Sequence, residues 1–167
     1  MAAILYTEAL GNGRFVKVTQ APNNETVVEI SESGSKPKGH TLTLQRWKML
    51  CDGCDPINEL ISKCKSGQQD ATVSVHLGGN VFISINAGYQ CVNIRQFENN
   101  GNCIFPTKDG IALRFKEWNM IIEKMAQINQ NIPHFDTVLP CYMELDHYNQ
   151  LGFLRCPECN PTSFTEY

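Results

Sequence analysis

The chain is poor in several things that would mark a function outright. None of its 167 residues belong to an apolar run approaching the roughly 20 residues that a membrane span needs. The amino-terminal stretch MAAILYTEALGN has no basic region before its short apolar run, which is not the pattern of a secretory leader. An intracellular setting is therefore expected, and there the cysteines are thiols or metal ligands rather than disulfides. Charge is sparse: Asp, Glu, Lys and Arg make up 19% of the chain and the formal net charge is −3. That balance speaks against a generally basic coat for a polyanion, and still allows a locally basic face. There is no phosphate-cradling glycine loop ending in Lys-Ser or Lys-Thr. His40, His76, His134 and His147 are scattered, and no nucleophile stands beside a base and an orienting third group. A protein without catalytic activity is expected.

What is present, above all, is repetition. Residues 10–18, LGNGRFVKV, match residues 77–85, LGGNVFISI; residues 38–47, KGHTLTLQRW, match residues 109–118, DGIALRFKEW. The offsets are 67 and 71 positions, so the intervening loops differ in length while the unit recurs. In the first copy, Arg14–Thr19 and Thr26–Ser31 are β-branched runs bounded by Gly, Asn and Pro, which is a strand signature. Thr41–Leu44 is a further short strand. Leu44, Trp47, Leu50 and Cys51 then fall at helical spacing, and after a break at Gly53 and Asp55-Pro56 the stripe continues through Ile57, Leu60, Ile61 and Cys64. The second copy opens with Thr72–Leu77, continues with Val81–Ile85 and Cys91–Phe97, and passes a Gly/Asn-rich loop, Pro106 and a Lys-Asp-Gly turn to a short run, Ile111–Phe115. A helix follows with Phe115, Trp118, Ile121, Ile122, Met125 and Ile128 on one face. Gly11-Asn12-Gly13 and Gly78-Gly79-Asn80 are hairpin turns. Trp47 and Trp118 each begin an apolar helical stripe and are expected in the core.

The stretch from Val81 to Trp118 carries an ordered series of short motifs: Asn93-Ile94-Arg95-Gln96-Phe97, then Lys108-Asp109-Gly110-Ile111-Ala112-Leu113, then Lys116-Glu117-Trp118. The series resembles the transcriptional coactivator family called positive cofactor four, whose members have a strand ending Asp-Ile-Arg-Glu-Tyr, a Lys-Gly-Ile-x-Leu strand and a Glu-Gln-Trp helix start. The resemblance spans about residues 73–130 and repeats in the first copy. It implies homodimers packed across a two-fold axis that bind single-stranded DNA and melted duplex through phosphate-binding cations and stacking rings, in transcription, replication or repair, in the nucleus or at a viral replication site.

The expected fold is accordingly α+β: two repeats, each a curved antiparallel sheet of about four strands followed by one helix. Residues 1–66 form the first repeat, 67–133 the second and 134–167 a cysteine-containing tail. The repeats are expected to pack on each other as a single-chain pseudo-dimer, a monomer in solution unless it self-associates further.

Expected cations are Arg14, Lys17, Lys36, Lys38 and Arg46 in the first copy, and Arg95, Lys108, Arg114 and Lys116 in the second. Tyr89, Phe97 and Phe105 are the expected stacking rings, because base stacking tolerates any sequence. Two positions depart from the family pattern: Glu98 replaces an aromatic and Asp109 replaces a basic residue. The first copy has Val28-Glu29-Ile30-Ser31-Glu32 where the strand arginine would be. These departures support an alternative, a protein-interaction module of a transcription or replication complex that has lost nucleic-acid binding.

Two C-x-x-C pairs, Cys51/Cys54 and Cys156/Cys159, have the spacing of zinc knuckles. Joined, they would make a four-thiolate structural zinc site that fastens the tail to the first helix. The alternative set is local to the tail: Cys141, His147, Cys156 and Cys159. Cys51, Cys54 and Cys64 also suit small buried positions on the helical stripe.

Overall fold

Alternating apolar residues build two sheets. Val16 and Val18, Val28 and Ile30, Ile83 and Ile85, Val92 and Ile94, and Ile111 and Leu113 are each at most 1% exposed. Each pair points one face of its strand inward, as a period of two requires. The computed structural model describes residues 3–34, 38–65, 72–86, 88, 90–143, 156, 158 and 159. Its first sheet has the order β1 (Ala3–Gly11), β2 (Arg14–Gln20), β3 (Thr26–Glu32) and β4 (Gly39–Thr43), with every neighbour antiparallel. Helices α1 (Leu44–Gly53) and α2 (Asp55–Lys65) follow. The second sheet has the order β5 (Thr72–Gly78), β6 (Val81–Asn86), β7 (Cys91–Asn99) and β8 (Ile104–Arg114), again antiparallel throughout, and leads into α3 (Phe115–Gln130). Two short 3-10 turns, Phe135–Thr137 and Cys141–Met143, come after it.

Both expected hairpin turns form. Asn12 and Gly13 have φ of 54° and 75°, and Gly79 and Asn80 have φ of 57° and 64°. Two successive left-handed residues give the tight turn whose twist suits an antiparallel pair.

Three expectations need correction. The strand β1 was not foreseen, because Ala3–Gly11 lacks a clean alternation and is largely exposed on one side. The Lys-Asp-Gly segment is not a turn: β8 runs through Pro106 and Lys108 without a break. Pro106 is tolerated because β8 is the edge of its sheet and the register shifts between Arg95 and Phe97, opposite it. The first unit also carries two helices rather than one, α2 starting at Asp55-Pro56. Residues 66–71, between the two units, lie outside the described residues.

The core is one cluster drawn from both halves, running from Leu10 to Ile132 and centred on fully buried Trp47, Trp118, Leu50 and Ile57. Each half covers the other: α1 and α2 pack on β5, and α3 packs on β1 and β2. Trp47 Nε1 donates to Asn129 Oδ1 on α3 at 2.7 Å, and Trp118 Nε1 donates to Asn58 Oδ1 on α2 at 2.8 Å. Where β4 meets β8, His40 Nδ1 lies 3.0 Å from Asp109 Oδ1. The expected core role of both tryptophans holds. Among the described residues, no helix is long and apolar enough to cross a membrane.

Candidate nucleic-acid interface and metal centre

Residues alternate with the core positions along each strand, so the outward face of each sheet can be read from the register. On the second sheet that face carries Ser74 and His76 from β5, Phe82 and Ser84 from β6, Asn93, Arg95 and Phe97 from β7, and Ala112 and Arg114 from β8. No acid stands among them. Three rings form a row across the strands. The His76 and Phe82 centroids are 4.9 Å apart, and Phe82 meets Phe97 edge-on at 5.1 Å. Arg95 borders the row, its guanidinium steadied by a 2.9 Å hydrogen bond from Nη1 to Thr107 O. Asn93, Arg95, Phe97 and Pro106 line a shallow open groove of about 380 Å³ on this face.

The first sheet is different. Its outward face carries Phe15 and Lys17, but Lys17 stands directly opposite Glu29 in the β2–β3 register, and its Nζ lies 5.9 Å from the Phe15 ring centroid. A groove of about 310 Å³ there is lined by Glu29, Lys38, His40 and Asp109. Lys38 shares this groove with two acids.

The expected cations therefore have unequal fates. Arg14 turns toward the core, with Nη1 2.6 Å from Glu117 Oε1 and Nε 3.7 Å from Glu32 Oε2. Arg46 is also occupied, donating from Nε and Nη2 to the two carboxylate oxygens of Glu158 at 2.7 and 2.9 Å. Lys38 just before β4, Lys108 and Arg114 on β8 and Lys116 on α3 are exposed, Arg114 on the same outward face as Arg95. Arg95 and Phe97 are brought together. Phe105 is 39% exposed on β8 opposite Glu98, apart from the ring row. Lys36 and Tyr89 lie outside the described residues. Of the two departures from the family pattern, Asp109 is engaged with His40, and Glu98 follows Phe97 on β7, clear of the groove.

His76 and Phe82 were not singled out from the sequence. The signal was present: Ser74-x-His76 and Phe82-x-Ser84 alternate with Val73, Val75, Leu77, Val81, Ile83 and Ile85 along their strands. Burial lowers the His76 pKa, nearby Glu158 opposes that shift and Arg46 adds to it. His76 Nε2 accepts a hydrogen bond from Asn80 N at 3.1 Å.

The cysteines divide cleanly. Cys141, Cys156 and Cys159 bring their sulfur atoms within 4.8 Å of one another, and Cys141 Sγ is 3.2 Å from Cys156 Sγ. Burial, together with the neighbouring thiols of Cys156 and Cys159, pushes the Cys141 thiol up to about 12. Cys51 and Cys54 do not join this cluster, so the joined two-pair site is not what the fold assembles. Cys51 sits among core residues beside Asn129, whose Nδ2 lies 3.8 Å from its sulfur, and burial pushes its thiol up to about 12. Cys54 Sγ donates to Cys51 O within the end of α1. The tail-local set is the one supported, by three of its members; His147 lies outside the described residues. Three thiols at this spacing can hold a metal ion: thiolates about 2.3 Å from a tetrahedral ion stand about 3.8 Å apart.

A scan against protein-family models, a search of characterised proteins and a search of solved structures each found no match to this chain.

Proposed function

We propose that the chain is a non-enzymatic protein that binds single-stranded nucleic acid, single-stranded DNA or melted duplex, across the outward face of the second sheet. The observation that carries this is the ring row His76–Phe82–Phe97 beside Arg95, on strand positions that carry no acid; Glu158 approaches its His76 end but is paired with Arg46. Aromatic faces take up splayed bases whatever their identity, and a flanking guanidinium takes up phosphate. The first sheet, with Glu29 opposite Lys17, serves as scaffold. We further propose a relation to positive cofactor four, with the two sheet–helix units as a single-chain pseudo-dimer. Supporting this are the reciprocal indole–amide hydrogen bonds: Trp47 and Trp118 are 71 positions apart, and so are their acceptors' equivalents, Asn58 and Asn129. The thiol cluster fits structural zinc, and the setting is transcription, replication or repair.

Fluorescence anisotropy with labelled oligo-dT at two salt concentrations tests the reading. Binding that weakens with salt is expected, with a slope near −0.7 per phosphate neutralised. Arg95→Ala should reduce that slope by about 1. Phe82→Ala and Phe97→Ala should each cost about 1–3 kcal/mol with the slope preserved. Lys17→Ala should change little. Absence of binding at low salt would sink the proposal in favour of a protein-interaction module.

A further inference from the structure

The C-x-x-C segment of the tail meets the β5–β6 turn through Glu158. Glu158, between Cys156 and Cys159, grips Arg46 with both carboxylate oxygens, and its backbone oxygen accepts from Gly79 N at 2.6 Å. The contact is so close that a Cβ on Gly78 would collide with the Glu158 carboxylate, and one on Gly79 with the Arg46 guanidinium. Both glycines also have positive φ, 137° and 57°, so this turn is shaped to receive the segment. On its other side the turn holds the ring row. Asn80 O accepts from Phe97 N at 2.8 Å, Gly79 O accepts from Gln96 Nε2 at 2.7 Å, and Asn80 N donates to His76. The β5–β6 turn is thus clamped between the thiol cluster's own segment and the two ends of the row.

We propose that Cys141, Cys156 and Cys159 are ligands of a zinc ion, and that the loaded centre is a clasp which holds Glu158 on Arg46 and the Gly78–Asn80 turn, so that metal occupancy governs the order of the row His76–Phe82–Phe97. Cys156 and Cys159 lie three positions apart and Cys141 comes from a separate 3-10 turn, so a bound ion would tie two segments of the tail together. Soft thiolates select zinc over magnesium or calcium, and binding displaces the thiol protons. The ion fixes the segment, the segment presents Glu158, and Glu158 sets the turn. The consequence for nucleic acid rests on the function proposed above; the clasp does not, and it is tested without nucleic acid.

The purified full chain, kept reduced and dialysed with zinc and then against buffer, is assayed by elemental mass spectrometry. About one zinc per chain is expected. Amide hydrogen exchange is then compared for the zinc-loaded protein and for the same protein stripped with a chelator. The Gly79 and Asn80 amides should lose protection about tenfold or more on stripping and regain it when zinc returns, while core amides of β6 and β7 stay protected. Cys156→Ser should abolish metal retention and reproduce the stripped exchange pattern. Should that variant fold poorly, the stripped wild-type chain carries the same comparison. A chain that retains no metal overturns the site, and iron or copper in place of zinc overturns the ion assignment. One bound zinc with identical Gly79 exchange before and after stripping overturns the clasp.

Discussion

Glu117 shows how much one side chain can hold. It has no exposed surface, yet it accepts from Asn12 Nδ2 at 2.7 Å, from Arg14 Nη1 at 2.6 Å and from the backbone N–H of Arg114 at 2.9 Å. Burial alone would raise its pKa; the hydrogen bonds from Asn12, Arg114 and Arg14, with the Arg14 charge, outweigh burial and hold it below the ordinary value. A depressed folded pKa contributes stability above the unfolded carboxylate value of about 4.3, and that contribution is lost as pH falls through the folded value. Glu117→Gln should therefore be destabilised at pH 7, and its urea midpoint should fall less than the wild type's between pH 5 and acid. Glu117→Ala, which strands the partly buried Arg14, should cost about 3 kcal/mol at pH 7. An acid limb unchanged in Glu117→Gln would disprove the assignment. None of this was legible beforehand, because Asn12 and Arg14 lie 105 and 103 positions from Glu117. The burial of Trp47 and Trp118 was legible, since each indole heads a local helical stripe.

At the scale of elements, local chemistry and sheet context divide the outcome. The two hairpin turns follow from Gly and Asn stereochemistry within a few residues. The strand β8 did not, because Pro106 and Lys-Asp-Gly suggest a break wherever the sheet edge is unknown. The glycine of that segment has another purpose. A Cβ on Gly110 would sit 2.6 Å from Ile94 O, and one on Gly39 would sit 2.8 Å from Ile30 O. Each glycine pairs across its sheet with the residue after that isoleucine, Arg95 and Ser31 respectively. Both close approaches are to backbone within a ladder, which cannot yield without moving a strand. Gly39→Ala and Gly110→Ala should each destabilise by about 1–3 kcal/mol through this overpacking. The check is a fall in urea midpoint with an unchanged m-value. A neutral Gly110→Ala would show that β8 shifts freely.

For the whole molecule, the question is what each half cannot bury alone. A four-stranded sheet with one or two helices has a thin core, and here each helix layer covers the strands of the other half. Asn58→Ala and Asn129→Ala each leave a buried indole N–H without its acceptor and should each cost about 1–3 kcal/mol in urea unfolding. A large loss at one position with none at the other would break the proposed equivalence. If the halves satisfy each other, sedimentation should find a monomer near 18.8 kDa. An obligate dimer of the whole chain would show that this surface is not complete within one copy.

Residues near one another in sequence determined the strands other than β1 and the first part of β8, the helices, both hairpin turns and most of the core, because periods of two and 3.6 and the left-handed tolerance of Gly and Asn act over a few positions. Tertiary structure alone decided which cations stay available and which thiols meet. Arg14 and Arg46 are as basic as Arg95, and Cys51 is as much a C-x-x-C cysteine as Cys156. What separates them is a carboxylate, a ring or a sulfur brought in from 100 positions away or from another turn, and no local pattern fixes that distance.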